Sequence, residues 1–372
     1  MKNKTIAAAL VVALALSSLM VAISSADGVA ADGPFTIKDV NGNDVSFDKS
    51  ANNVITLGLG LTLTVIELGM KNKIVGVDMY SAPGYASNAP FKDTLEGLED
   101  LGNYYNAGGR EQIITSIIQM IDSGKFKSED LVILAPNYSY IVNDTDGLIK
   151  MIAQKGLDFR VVLLAKSGMM FDDIIPFVEN IGKITGASNI GKVVSGMNKV
   201  KSEVEKVVTE EGLSGASAIH LSSSTTPTLY NSSILLSMVN IAGGVNVGGN
   251  GSSSASYTTD YAAIVQIVEQ NPNVVIFIDG GNPDSVSEFK NKIGNPPNAK
   301  VLKMDPTFNN TAPSVSEGLW EVACALYPEH FSGDIPSDDS DNGNIYLYLA
   351  VGILVVVIIV GATVYLLRKK SV

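Results

Sequence analysis

Two apolar segments of different character bracket this 372-residue chain, and they constrain what everything between them can become. Residues 1–26 open on Met-Lys-Asn-Lys, run through an Ala/Val/Leu stretch and close on Ser24-Ser25-Ala26. A short basic start, an apolar middle and a small-residue exit form the pattern of a secretory signal peptide. Residues 345–367, from Ile345 to Leu367, carry no charge at all. As a helix this run would reach roughly 34 Å, enough to cross a bilayer. Arg368-Lys369-Lys370 follow at once, and basic residues stay on the cytoplasmic side. The chain therefore reads as a single-pass cell-membrane protein with its C-terminus in the cytoplasm. The portion outside the cell is long enough for two lobes of ordinary size.

Charge and cysteine content narrow the partners. Net charge is −12 and only Arg110, Arg160 and Arg368 are arginines. Phosphate neutralisation needs a basic surface, so no nucleic acid is expected. Cys324 is the single cysteine, so an internal disulfide is excluded, as is a lipid anchor after the signal. Five Asn-x-Ser/Thr sequons, at Asn137, Asn143, Asn231, Asn250 and Asn309, are consistent with an exposed location.

Strand and helix patterns alternate through most of the outer portion, which predicts a parallel α/β arrangement. Phe35 to Phe47 reads as a hairpin with Asn41-Gly42 as a two-residue turn. Strands are expected at Val54–Leu57, Ile74–Val77, Leu131–Leu134 and Arg160–Leu164. Leu61–Met70 and Asp146–Gln154 have helical patterns. Apolar residues from Phe171 to Ile184 recur at helical spacing, with Gly186 as a stop. A second helix runs from Ile190 towards Gly212. Strands at Ser217–Leu221, Val274–Ile278 and Val301–Met304 then alternate with helices at Ile234–Ile241, Tyr261–Gln270 and Ser314–Tyr327. Gly243 to Gly249 reads as a loop. The organisation is an N-terminal lobe (34–166), an interlobe helical region (167–212), a C-terminal lobe (213–330), an acidic stalk (331–344) and the transmembrane anchor.

Several of these segments together resemble the substrate-binding proteins of ABC importers for iron-siderophores, haem and cobalamin. Thr36-Ile-Lys-Asp-Val-Asn-Gly-Asn-Asp-Val is similar to that family's opening hairpin. Asn53-Val-Ile-Thr-Leu-Gly and Thr64-Val-Ile-Glu-Leu-Gly-Met-Lys-Asn-Lys-Ile-Val-Gly-Val-Asp resemble its first strand-helix-strand unit. Ile181-Gly-Lys-Ile-Thr-Gly, Ala242-Gly-Gly-Val-Asn-Val and Glu269-Gln-Asn-Pro-Asn-Val-Val-Ile follow in the family's order. The resemblance implies two Rossmann-like lobes joined by a long helix, with a ligand cleft between them. It implies ABC permease subunits as partners, docked through an acid on each lobe, here Glu111 and Asp260. The stretch Met120–Asp130 is longer than the family's norm, and a transmembrane anchor departs from it.

Chemistry-bearing residues agree with a binder and not an enzyme. His220 and His330 are the only histidines, too few for a bare transition-metal site or a convincing catalytic triad. Gly58-Leu-Gly-Leu-Thr-Leu opens a helix after a strand but lacks the third glycine of a dinucleotide fingerprint. Eight tyrosines from Tyr80 to Tyr257 fall beside strand ends, where open α/β sheets form their crevice. A tyrosine offers a flat face and a hydroxyl, suited to a macrocycle or aromatic chelate. The resemblance implies cleft aromatics near Tyr80, Tyr104, Tyr105 and Tyr138, and these, with Tyr257, are the candidate ligand residues. No cofactor is expected, and any metal would arrive as a small-molecule chelate, the protein's cargo. The alternative function is a surface sensor or interaction module of the same fold without a transporter.

Overall fold

The computed structural model describes residues 33–85, 92–222, 227–279, 283–305 and 310–336. The expected signal peptide (1–26), the transmembrane segment (345–367) and much of the stalk lie outside the described residues. Among the described residues no helix is long and apolar enough to cross a membrane.

The architecture is a mixed α/β fold with two main sheets. The first contains β3 (Asn53–Thr56), β4 (Ile74–Val77), β5 (Leu131–Pro136) and β6 (Arg160–Ala165), all parallel, in the order β4-β3-β5-β6. Every residue of β5 is buried, as a central strand covered on both faces requires. One face carries α2 (Ala107–Asp122) and α3 (Leu148–Gln154), whose Ile113, Ile117, Met151 and Ile152 pack with Ile55 and Ile133. α1 (Leu59–Glu67) starts directly after β3. The long Met120–Asp130 stretch is integrated rather than loose. It completes α2, buries Phe126 in the core and pairs Lys125 with Glu99 at 2.6 Å.

The opening hairpin, β1 (Phe35–Lys38) and β2 (Asp44–Phe47), pairs Lys38 with Asp44. The expected two-residue turn is therefore replaced by the five-residue loop 39–43. Asp39 is the reason: its carboxylate accepts from Asn41 N and Asn43 N at 2.9 and 2.8 Å. That local ring competes with the tighter turn, and Gly42 supplies the left-handed backbone at φ 84°. The Arg160 guanidinium lies 4.7 Å from the Phe47 ring centroid and donates to Ser46 O at 2.8 Å, fastening the hairpin to β6.

Two helices follow β6. α4 (Phe171–Thr185) buries Phe171, Ile174, Val178, Ile181 and Ile184 of the stripe its spacing marks; Phe177 joins them, and Ile175, also expected there, is only half-buried. Gly186, left-handed at φ 69°, ends it. α5 (Ile190–Glu210) is about 31 Å long by helical rise and buries Met197, Val200 and Val204. The link between the sheets is thus a packed pair of helices. α4 touches both sides: Ala51 N donates to Ile184 O at 2.7 Å, and Phe171 N donates to Ser237 Oγ at 2.9 Å.

The second sheet has the order β10-β8-β7-β11-β12, with β9 alongside the start of β7. Its strands are β7 (Ala216–Ser222), β8 (Thr228–Tyr230), β9 (Gly244–Asn246), β10 (Ser256–Thr258), β11 (Val275–Asp279) and β12 (Lys300–Lys303). β9, β11 and β12 run parallel within the β9-β7-β11-β12 portion, while β8 and β10 are antiparallel additions. The expected Gly243–Gly249 loop is corrected by β9. Gly244 fits there because a Cβ would stand 2.8 Å from Leu326 and Val239. Helices α6 (Ile234–Ile241), α7 (Tyr261–Gln270), α8 (Pro283–Lys292) and α9 (Val315–Leu326) complete this half. α8 was not anticipated from the sequence. The elements of both sheets belong to one unit that ends at Gly333.

Candidate functional site

The cleft begins at the C-terminal ends of the first sheet's strands. After β3 the chain turns at Gly58, whose φ of 126° only glycine holds readily. That turn aims the Gly58 amide at Asp78 Oδ1, 2.9 Å away. Asp78 ends β4 and is fully buried. Its carboxylate also accepts from Ser81 Oγ at 2.5 Å and Tyr80 N at 3.2 Å. One side chain therefore joins two strand-end loops. Burial pushes its pKa up to about 6, against the pull of these three donors, with Asp100 adding to the rise. The Gly58 amide is consequently committed to Asp78, which removes the phosphate cradle that the glycines there resemble.

The segment before α2 carries the next wall. Asn106 caps α2 by accepting from Gly109 N at 2.7 Å. A Cβ on Gly109 would lie 1.9 Å from Asn103 O, so the loop folds tightly against the helix. Arg110 is buried; its Nη1 donates to Tyr104 O at 2.9 Å and its Nη2 pairs with Asp146 at 3.1 Å. Tyr104 and Tyr105 stack at 4.5 Å between centroids, and the Tyr104 hydroxyl donates to Tyr105 at 3.2 Å. Tyr80 meets Tyr105 edge-on at 5.1 Å, and Tyr105 meets Tyr140 at 5.1 Å. Burial drives the Tyr104 phenol far up, reinforced by the bond to Tyr105 and the charge of Asp78. Burial also raises Tyr138. Tyr104 and Tyr138 are therefore neutral phenols.

The opposing wall comes from the second sheet. His220, buried on β7, stacks on Tyr230 at 4.3 Å and shares a 2.9 Å hydrogen bond between Nδ1 and Ser233 Oγ. Burial pushes its pKa down to about 3, so the ring is neutral. Ser233 also caps α6 by accepting from Leu236 N at 3.1 Å. The two walls enclose a cavity of about 510 Å³ lined by Tyr80, Tyr104, Tyr105, Tyr138 and Tyr230, with Met169, His220, Ser232 and Thr311 among its other residues. Among the described residues of that lining Lys166 is the one lysine or arginine, and none carries a carboxylate. No group of three or more His, Cys, Asp or Glu able to hold a metal occurs among the described residues.

Four of the five tyrosines singled out in the sequence thus meet in one cavity. Tyr257 is placed elsewhere: its hydroxyl donates to Gly248 O at 2.7 Å and its ring packs on the core of the second sheet. Glu111 stands on the first turns of α2 and pairs with Lys155 at 3.0 Å, both side chains substantially exposed. Asp260 caps α7, accepting from Ala263 N at 2.8 Å. Asp78, Arg110 and His220 are site-building residues that sequence reading did not single out. For Asp78 the available signal was its position, an acid ending an apolar strand beside a glycine turn.

Comparison with known proteins agrees with this fold. No family model matches the chain. An uncharacterised ABC transporter substrate-binding lipoprotein of Bacillus subtilis is 20% identical over 305 residues, covering 80% of this chain and 87% of that protein. A periplasmic heme binding protein from Pseudomonas aeruginosa superposes with a TM-score of 0.57 at 14% identity, covering 77% of this chain and 96% of that one. An ABC-type Fe3+-hydroxamate transport system protein from Saccharomonospora viridis gives 0.53 at 18% identity, covering 78% and 98%. The fold is that of two-lobed periplasmic binding proteins, and the matched proteins are binding proteins, not enzymes.

Proposed function

We propose that this chain is the extracytoplasmic solute receptor of an ABC importer, and that its cargo is a small-molecule metal chelate such as a corrinoid, haem or siderophore complex. The observation that carries this reading is the 510 Å³ cavity at the strand ends, walled by both sheets and lined by five tyrosines. Neutral aromatic faces cover the planar or greasy surface of a chelate, while the hydroxyls and Lys166 meet its polar edge. A lining without arginine disfavours cargo rich in free carboxylates, which call for bidentate partners. Tyr80, Tyr104, Tyr105 and Tyr138 are the proposed contact residues. Residues 345–367 are the proposed membrane tether, and Glu111 and Asp260 the proposed contacts to the permease.

Glu111 and Asp260 already have partners within the chain, which gives a sensor without a transporter its one specific support. The test is uptake of labelled cyanocobalamin, haemin and ferrioxamine by cells deleted for this chain and complemented with it. Glu111→Gln with Asp260→Asn removes both charges, and asparagine still caps α7. Under the importer reading, deletion abolishes uptake of one chelate, the native chain restores it, and the double variant restores less than about a tenth while still binding. Unchanged uptake of all three after deletion contradicts that reading.

A further inference from the structure

One side of the cleft is bounded by contacts between the two halves that involve neither the tyrosines nor Glu111 and Asp260. Gly60, Thr64 and Glu67 recur at i, i+4 and i+7 on α1, hence on one face. All three meet residues 311–314, the approach to α9 on the other sheet. A Cβ on Gly60 would stand 2.0 Å from Thr311 Oγ1 and 3.1 Å from Thr311 N, so glycine permits the approach. The Thr64 hydroxyl lies 2.8 Å from Thr311 O. Glu67 accepts from Ser314 N at 2.8 Å and Ser314 Oγ at 3.0 Å. Leu63 and Leu95 from the first half bury Ala312 from the second in a small apolar cluster of its own.

The chemistry makes Glu67 more than an incidental contact. Ser314 precedes α9 and its own side chain does not cap that helix. Glu67, from the opposite half, instead accepts from the Ser314 N–H and hydroxyl at the start of α9, where the helix N-terminus favours negative charge. Burial raises the Glu67 pKa, and Glu317 on α9 adds to the rise, while the two Ser314 bonds oppose it. A half-buried bidentate contact of this kind, charge-assisted when the carboxylate is ionised, is among the stronger polar interactions available.

We infer that α1 and residues 311–314 form a clasp between the two halves, with Glu67 as the positioning residue that sets the spacing of the cleft walls. Gly60 and Thr311 line the cavity as well as the clasp, so its grip is transmitted directly to the walls. The inference does not depend on the identity of any cargo.

Amide hydrogen exchange on the full chain, without ligand, tests it. In Glu67→Ala, peptides from the two walls, residues 57–61 and 230–236, exchange roughly tenfold faster or more, as loss of a charge-assisted contact implies. Peptides from β5 and β11 keep their native rates. Glu67→Gln, which still accepts from Ser314 N, stays within roughly threefold of native. Thr64→Val, which keeps the side-chain shape, shifts the same wall peptides in the same direction and covers the case in which Glu67→Ala fails to fold. Native exchange at both walls in Glu67→Ala, with change confined to 311–318, overturns the clasp and leaves Glu67 a local contact at the start of α9. Equal acceleration of β5 and β11 also overturns it, since Glu67 then supports the whole fold.

Discussion

Asp78 shows how a single side chain organises the site. It is buried, accepts three hydrogen bonds and titrates near 6 instead of the ordinary 3.8, chiefly because burial penalises its charge. A carboxyl whose folded pKa is raised contributes most below its unfolded pKa and loses that contribution as pH rises through the folded value. The loss amounts to about 3 kcal/mol at full ionisation. Chemical denaturation of the native chain and of Asp78→Asn from pH 4 to pH 7 checks this: native stability falls relative to the variant as pH rises. A difference that stays flat with pH contradicts the assignment. Tyr80, Tyr104, Tyr105 and Tyr138 could be placed beside strand ends from the sequence, and the fold gathers them around one cavity. Asp78 was not singled out, since an acid after a strand looks like any solvated acid until the fold buries it. Glu67 was less visible still, because its partner Ser314 lies 247 residues away. Tyr257 fits the same local pattern as the other tyrosines, but Gly248 claims its hydroxyl.

Among the elements, those with strong internal periodicity were readable. α6 and α7 run from Ile234 to Ile241 and from Tyr261 to Gln270, the residues their patterns mark. α4 stops where Gly186 places it. Besides α8, the elements that escaped notice are short strands that owe their form to neighbours. β8, β9 and β10 have three residues each and exist because β7 and one another supply hydrogen-bond partners. The hairpin turn was misread because Asp39 offers its carboxylate to two amides within the loop. α5 makes a quantitative test of the helical link. It buries only Met197, Val200 and Val204, so its attachment depends on few contacts. Val204→Ala should lower unfolding free energy by about 1–3 kcal/mol, read by denaturant titration. A loss below about 0.5 kcal/mol, the range of ordinary surface substitutions, would show that α5 is not packed as described.

At the scale of the molecule, the two sheets meet through α4, α5 and the contacts of α1 with residues 311–314. The tyrosine-lined cavity lies at their shared edge. A structure joined by helices and side-chain contacts on more than one side favours modest adjustments of the cleft over wide opening. That suits the proposed role of a receptor that releases its cargo to a partner rather than transforming it. The two sheets and the pair of helices between them were readable from the order of strands and helices. The closeness of the walls was not, because it depends on contacts that only the folded chain creates. Isothermal titration of the full chain with cyanocobalamin, haemin and ferrioxamine, repeated with Tyr80→Ala/Tyr105→Ala, tests the central claim most directly. The account predicts saturable one-to-one binding of one of the three and at least a roughly tenfold weaker Kd in the double variant. Binding of none, or an affinity indifferent to the loss of both rings, would contradict it.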